Sequence, residues 1–338
     1  MDSETKQSKA SEGYVYCSYG KEKYLKSVFV SASTIRRYDK NRPIALICSR
    51  EHAKNIDSWG LNDFFDRIEI LDEDHQSIVG FKHNLHLYMP FDHNMYLDSD
   101  MIWCRHPDNL WQAFKPFGYT ITGQDSADVF YGAPKNAKIL LDLLLRRRQR
   151  TLYKFNLNHL YRVQTGIMYA ADQDLTKKVD ELATKYLKQK DETHFVSRTT
   201  EAGRGLESCE WSLGMAMTKL KLYVYPWFNG YESPQLDYIH GMVEHDAGYR
   251  DVMVQHYSNP FIQQLRGLKS KALRGILLSI FSILPRSMDH MWVTPYVLHF
   301  GWKHQKKYFF DFVEQQWDAQ FQGKVKHIQH AEQSPGAD

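Results

Sequence analysis

Asp98-Ser99-Asp100 is the stretch of this chain whose residue types and spacing could do chemistry. Two carboxylates flank a single serine, directly after the apolar run Met95-Tyr96-Leu97 and before Met101-Ile102-Trp103. In extended backbone, residues i and i+2 point the same way. A strand that ends in Asp-x-Asp therefore aims both acids, or one acid and a bridging water, at one hard cation. Oxygen ligands of this kind suit magnesium or manganese, which keep open positions for phosphate oxygens. The pair is a candidate holder for a metal-bound diphosphate. By itself the tripeptide fits a solvated turn or a helix cap equally well. Its apolar flanks argue for half-burial, where an unpaired charge is costly, so a positive partner is expected nearby.

The elements that must position this pair read as alternating strands and helices. Tyr14-Val15-Tyr16-Cys17, Pro43 to Cys48, Phe65 to Ile70 and Met95-Tyr96-Leu97 read as strands. Tyr24, Leu25, Val28, Phe29, Ala32 and Ile35 fall at helical spacing, Glu51 to Trp59 reads as a short helix, and another is expected from Lys82 to Met89, closed by Pro90. This alternation predicts a parallel, doubly wound sheet. Ligands of such sheets bind beyond the carboxyl ends of the strands. Ser18-Tyr19-Gly20 and Asp98-Ser99-Asp100 both lie at such ends. Further strands are expected at Tyr119–Thr122, Ile167–Ala170, Leu222–Tyr225 and Val252–Tyr257, and a helix from Ser208 to Leu220. The apolar run Ile139–Leu145 is read as a helix that Arg146, Arg147, Arg148 and Arg150 terminate, where cations suit the dipole.

The 338 residues suffice for one large α/β domain or two small ones. A net charge of +3 is too small to argue for nucleic acid. Cys17, Cys48, Cys104 and Cys209 are far apart with no CxxC spacing, so they read as reduced, buried thiols rather than zinc ligands. No stretch has the apolar length of a membrane span, and residues 1–12 carry no apolar leader. The expectation is a cytoplasmic protein with a disordered tail at 1–12, a catalytic domain at 13–260, a helical extension at 261–325 and a flexible tail at 326–338.

The order of these pieces resembles the GT-A fold glycosyltransferases, most closely the glycogenin- and galactosyltransferase-like family 8 and its relatives. The resemblance is carried by the opening strand, the helix with Ser31-Ala32-Ser33-Thr34-Ile35-Arg36-Arg37-Tyr38, the Pro-led strand, Lys82 ahead of Pro90-Phe91-Asp92-His93, and the Asp-x-Asp strand. Gln164-Thr165-Gly166-Ile167-Met168 resembles that family's Asn-Ser-Gly-Val-Met segment, Glu210-Trp211-Ser212-Leu213 its later acidic helix, and Gln255-His256-Tyr257 its late histidine. It implies a GT-A type mixed sheet with a Rossmann-like nucleotide-binding half. It also implies transfer of a sugar from a nucleotide-diphosphate donor to a glycan, lipid or protein acceptor, with Mn2+ or Mg2+ as cofactor. Asp98 would face the ribose or reach the metal through water, and Asp100 and His256 would bind it directly. Ser18, Tyr19 and Tyr24 would meet the nucleotide, and Lys82 the diphosphate or sugar. Gln164 would touch the donor sugar. Glu210, or alternatively Glu207, would face donor and acceptor.

Each of these residues also has a structural reading. His256 is one of 16 histidines, Lys82 could be a solvated helix charge, Glu210 could simply favour its helix N-terminus, and Tyr19 and Tyr24 could be packing aromatics. Two rival functions share the pattern. A sugar-phosphate nucleotidyltransferase would need a Gly-rich phosphate loop that Cys17-Ser18-Tyr19-Gly20-Lys21-Glu22 does not supply. The other is a catalytically silent sugar- or partner-binding domain. Finally, 265–286 carries Arg266, Lys269, Lys271, Arg274 and Arg286 with no acid, and Leu273, Ile276, Leu277, Ile280, Phe281 and Leu284 at helical spacing. This segment reads either as a helix packed on the catalytic domain or as a basic amphipathic helix on an anionic membrane surface. Phe309, Phe310, Val313, Trp317 and Phe321 form a second stripe, read as core.

Overall fold

The apolar runs of the first half become the strands of one seven-stranded sheet in the order β3-β2-β1-β4-β7-β6-β8. These are β1 (Glu12–Ser18), β2 (Ile44–Cys48), β3 (Arg67–Ile70), β4 (His93–Leu97), β6 (Tyr119–Gln124), β7 (Arg162–Ala170) and β8 (Tyr225–Pro226). β3, β2, β1 and β4 run parallel, whereas β7 joins β4 antiparallel. The sheet is therefore the mixed, doubly wound kind, with a Rossmann-like half at β3-β2-β1-β4. The computed structural model describes residues 11–127, 131–132, 138–196, 208–323 and 325. The chain divides into two units: 1–25, 41–98 and 111–226 form the first, and 26–40, 99–110 and 227–338 the second.

Strands β1, β2 and β4 are almost wholly buried, as expected for a parallel sheet covered on both faces. Val15, Tyr96, Ile121, Met168 and the helix residues Trp211, Leu213 and Met215 belong to one apolar cluster within the first unit. Two helix expectations are corrected. The helix near Lys82 spans Ile78–Lys82 and ends there, followed by a 3-10 turn at Leu85–Leu87. It starts early because the Ser77 hydroxyl accepts from the Gly80 amide (2.7 Å), and a Cβ on Gly80 would lie 2.7 Å from the His75 carbonyl oxygen. The arginine cluster does not end a helix but begins one. The helix Lys138–Leu144 stops, Arg146 takes a left-handed φ of 48°, and Arg147–Lys154 forms a new helix. Arg147 pairs with the buried Asp142 at 3.3 Å.

The second unit contains β5 (Met101–Trp103), β9 (Gln235–Asp237), β10 (Val243–His245), β11 (Val252–Tyr257), β12 (His290–Val293) and β13 (Val297–His299). They form two sheets, β10-β11-β12 and β5-β13-β9. The segment 261–325 is thus not purely helical. Val297 and Leu298 are fully buried on β13, between β5 and β9. The helix Lys306–Gln320 buries Phe309, Val313 and Trp317, and Phe29 meets the rings of Trp317 and Phe321 edge-on, so this stripe is core as expected. The tail expectations for 1–10 and 326–338 lie outside the described residues, while Glu12 already belongs to β1.

Two histidines of the first unit tie its stability to pH. Burial pushes both His83 and His194 down to about 4. His83 bonds the Ser212 hydroxyl, and His194 sits between the Thr151 hydroxyl and the Tyr131 carbonyl. A histidine depressed in the folded state contributes stability that is fully present above its unfolded value near 6.5 and is lost as pH falls toward 4. Each site contributes roughly 3 kcal/mol at most across that window. Urea unfolding should show stability falling steeply between pH 6.5 and 4.5, and replacing both histidines by glutamine should flatten the slope.

Candidate functional site

In the first unit the carboxyl ends of β1 and β4 carry the expected polar residues. Asp98 follows β4, and its amide donates to the Gly166 carbonyl on β7 at 3.0 Å. Its carboxylate takes the Lys82 ammonium at 2.6 Å. Lys82 also donates to the Thr165 carbonyl (2.9 Å) and hydroxyl (3.0 Å). All three ammonium protons are therefore used. Burial works against this charge, but Asp98, Cys209 and Glu210 more than offset it and hold Lys82 above the ordinary lysine value. The positive partner demanded by a half-buried aspartate is Lys82, the last residue of its helix.

Glu210 opens the helix Glu210–Lys219, where the preceding Cys209 supplies no side-chain cap. It is half-buried, in a position that suits an acid at a helix N-terminus and that also bears electrostatically on Lys82. Gln164 is half-buried on β7, and its carbonyl accepts from the Thr122 hydroxyl at 2.8 Å. Glu207 lies outside the described residues. At the end of β1, Ser18 is buried and bonds His52 Nδ1 at 2.9 Å, while His52 Nε2 reaches the Gly20 carbonyl at 3.0 Å. Gly20 has a φ of +79°, which glycine adopts without cost. Tyr19 packs against the apolar cluster, and Tyr24 is 42% exposed with Lys23 over its ring.

In the second unit three strand ends converge on Asp100. Asp100 immediately precedes β5, β13 runs antiparallel to it, and Phe300 donates its amide to the Asp100 carbonyl at 3.0 Å. His299 closes β13 and Asp237 closes β9, opposite each other in register. His299 Nδ1 lies 2.8 Å from Asp237 Oδ1, and the Trp302 indole donates to Asp237 Oδ2 at 3.0 Å. A carboxylate accepts only, so Nδ1 carries the proton and Nε2 is turned toward Asp100 Oδ1 at 3.7 Å. Lys306 holds the other Asp100 oxygen at 2.7 Å. Burial pushes the Asp100 carboxyl up, but His299 and Lys306 together outweigh it and hold it below the usual carboxylate range. Gly301 leaves room for the imidazole, since a Cβ there would lie 2.6 Å from His299 Cε1.

His256 does not occupy the place expected of it. It sits on β11, in the other sheet of the second unit, stacked on Phe228 with ring centres 3.7 Å apart. Burial pushes it down to about 4, so it is neutral at pH 7. The imidazole beside Asp100 is His299 instead. His256 lies one residue before the end of a six-residue strand with a strong apolar signal, whereas β13 is three residues long. The signal that could have found His299 is the run Tyr296-Val297-Leu298-His299-Phe300, closed by Gly301 and followed by Lys306. Asp237, Lys306 and His52 were missed as well. Each acts through a partner distant in the chain.

The donor set on Asp100 fits a divalent cation. A carboxylate and an imidazole 3.7 Å apart are too far for a hydrogen bond, yet two ligands of one ion can adopt that spacing. An imidazole pinned through Nδ1 by a carboxylate is the usual arrangement of a metal-binding histidine.

No protein-family model matches the chain. No curated protein matches it either. Among solved structures, the chain is similar to the galactosyltransferase LgtC, determined with donor and acceptor sugar analogues. The identity is 11% over 91% of this chain and 99% of that one, with a TM-score of 0.49. It is also similar to mouse xyloside xylosyltransferase 1, at 12% identity over 67% of this chain and 88% of that one, with a TM-score of 0.40. The glycosyltransferase GlyE of Streptococcus pneumoniae gives 12% identity over 94% and 64%, with a TM-score of 0.40. With such low identities and scores, the chemical reading rests on the side chains themselves.

Proposed function

We propose that this chain is a metal-dependent glycosyltransferase that moves a sugar from a nucleotide-diphosphate donor to a hydroxyl-bearing acceptor. The observation that carries the reading is the Asp237–His299–Asp100 arrangement, a histidine with its Nδ1 fixed by one carboxylate and its Nε2 turned toward another. Asp100 and His299 are the proposed metal ligands. Asp98, two residues earlier in the chain, is proposed to reach the ion through water or to face the ribose, with Lys82 holding its carboxylate in place. When bound, a manganese or magnesium ion would neutralise the charge that grows on the leaving diphosphate.

The remaining roles belong to the protein's own groups. Lys82 keeps a fixed positive charge next to Asp98, and such a charge suits a diphosphate. The loop after β1 lacks the glycine run that would cradle phosphates by backbone amides alone, which favours a metal ion as the holder of the diphosphate. Ser18, Tyr19 and Tyr24 are proposed to meet the nucleotide, with His52 ordering Ser18 and Gly20. Gln164 is proposed to touch the donor sugar. Glu210 is proposed to take the acceptor proton or to stabilise the cationic sugar.

A screen of nucleotide sugars for hydrolysis in manganese buffer tests the reading. Turnover of at least one donor, stopped by chelator, is expected; manganese-independent hydrolysis, or none with any donor, would sink it. Calorimetry separates the two histidines. His299→Ala should weaken manganese binding in the presence of a nucleoside diphosphate by roughly 10–100-fold or more. His256→Ala should leave it unchanged. The reverse outcome would return the ligand role to His256.

A further inference from the structure

The helix Lys271–Phe281 is apolar on two sides, and only one of them is covered. Leu277, Leu278 and Phe281 pack against Ile239, Met242, Tyr257, Ile262 and Leu265 of the same unit. Leu273, Ile276 and Ile280 face away and are 49%, 59% and 56% exposed. Ile283, in the turn that follows, is 86% exposed, and Met288 is 63% exposed. Spacings of three and four residues put Leu273, Ile276, Ile280 and Ile283 on one stripe. A helix of a water-soluble domain spends its second face on polar residues. This one does not, and a contiguous exposed aliphatic ridge marks an interaction surface.

Its charge says what kind of surface it meets. From Val252 to Met288 the sequence contains no aspartate or glutamate. The exposed Lys269, Lys271 and Arg286, with the half-exposed Arg266 and Arg274, flank the aliphatic stripe. A second copy of this chain meeting the patch face to face would set one acid-free basic rim against another, which is repulsive. A sheet of anionic lipid headgroups over acyl chains complements both features at once. Cations meet the headgroups, and the aliphatic stripe enters the acyl boundary. Among the described residues no helix is long and apolar enough to cross a membrane, so the contact is a surface one.

We propose that the helix Lys271–Phe281 and the turn through Met288 dock this protein on an anionic lipid surface, with Leu273, Ile276, Ile280 and Ile283 inserted and Lys269, Lys271, Arg274 and Arg286 at the headgroups. The proposal is independent of the sugar-transfer reading and uses none of its residues.

Sedimentation of the full chain with vesicles tests it. The protein should pellet with phosphatidylcholine vesicles containing about a third phosphatidylserine, stay in solution with pure phosphatidylcholine, and release in about 1 M salt, where the Debye length shrinks to about 3 Å. Lys269→Gln and Lys271→Gln should each weaken binding about fivefold. Ile276→Ser with Ile280→Ser and Ile283→Ser alters only exposed side chains, so the circular dichroism should be unchanged while vesicle binding is lost. Absence of pelleting with the anionic vesicles would overturn the proposal, as would undiminished binding by the triple variant. A lipid-independent dimer that the triple variant abolishes would overturn it in favour of self-association.

Discussion

Asp100→Ala is expected to lower manganese-dependent turnover by about 1,000-fold or more while the chain stays folded. The magnitude follows from losing a direct ligand of an ion whose charge stabilisation is worth several kcal/mol, at about 1.4 kcal/mol per tenfold in rate. The fold should survive because the carboxylate fills no apolar core. Its partner Lys306 is partly exposed and can be solvated. The Phe300 amide bond goes to the Asp100 backbone, which alanine keeps. The sign of the pH dependence adds a check. His299 and Lys306 hold the Asp100 carboxyl below its usual range despite burial, so it stays ionised wherever an ordinary carboxylate does. Any activity lost between pH 7 and 5 must then come from another group. Chelator should stop the wild type and leave the variant's residual rate untouched. A variant with wild-type turnover, or one that unfolds, would refute the ligand assignment.

The sheet was legible because its signals are local. Tyr14–Cys17, Ile44–Cys48 and Met95–Leu97 are short apolar runs bounded by turn residues, and all three are buried strands. Asp98 and Asp100 could be named from their two-residue spacing and apolar flanks, although β4 ends at Leu97 and the pair lies in the bend that follows, Asp98 taking Lys82 and Asp100 taking Lys306. Lys82 could be named, but its helix was misplaced because the Ser77 cap and the fit of Gly80 against His75 outweigh propensity there. His299 could not be read because its role comes from register. β13 must pair with β5, placing Val297 opposite Trp103 and His299 opposite Met101, before the imidazole meets Asp100. Asp237 becomes meaningful only once β9 lies on the other side of β13. Pairings of this kind leave little trace in strands of three residues.

Glu210→Gln is expected to lower turnover by at least ~100-fold with little change in donor affinity, the low end of what a general base contributes. The substitution keeps volume and hydrogen-bonding capacity and removes only charge. The structure offers a competing account, because Glu210 is the acid in the first turn of its helix and the Cys209 side chain provides no cap. If dipole compensation is its whole task, glutamine should cost about 0.3–1 kcal/mol of stability and leave the rate nearly unchanged. Glu210 also helps hold Lys82 charged, yet Asp98 outranks it there, so loss of the glutamate should not release the lysine proton at neutral pH. The two accounts separate in one pair of measurements, turnover against donor affinity and urea midpoint against wild type. A large rate loss at unchanged midpoint assigns Glu210 to chemistry. A shifted midpoint at unchanged rate assigns it to the helix, and Glu207 then becomes the acid to replace next.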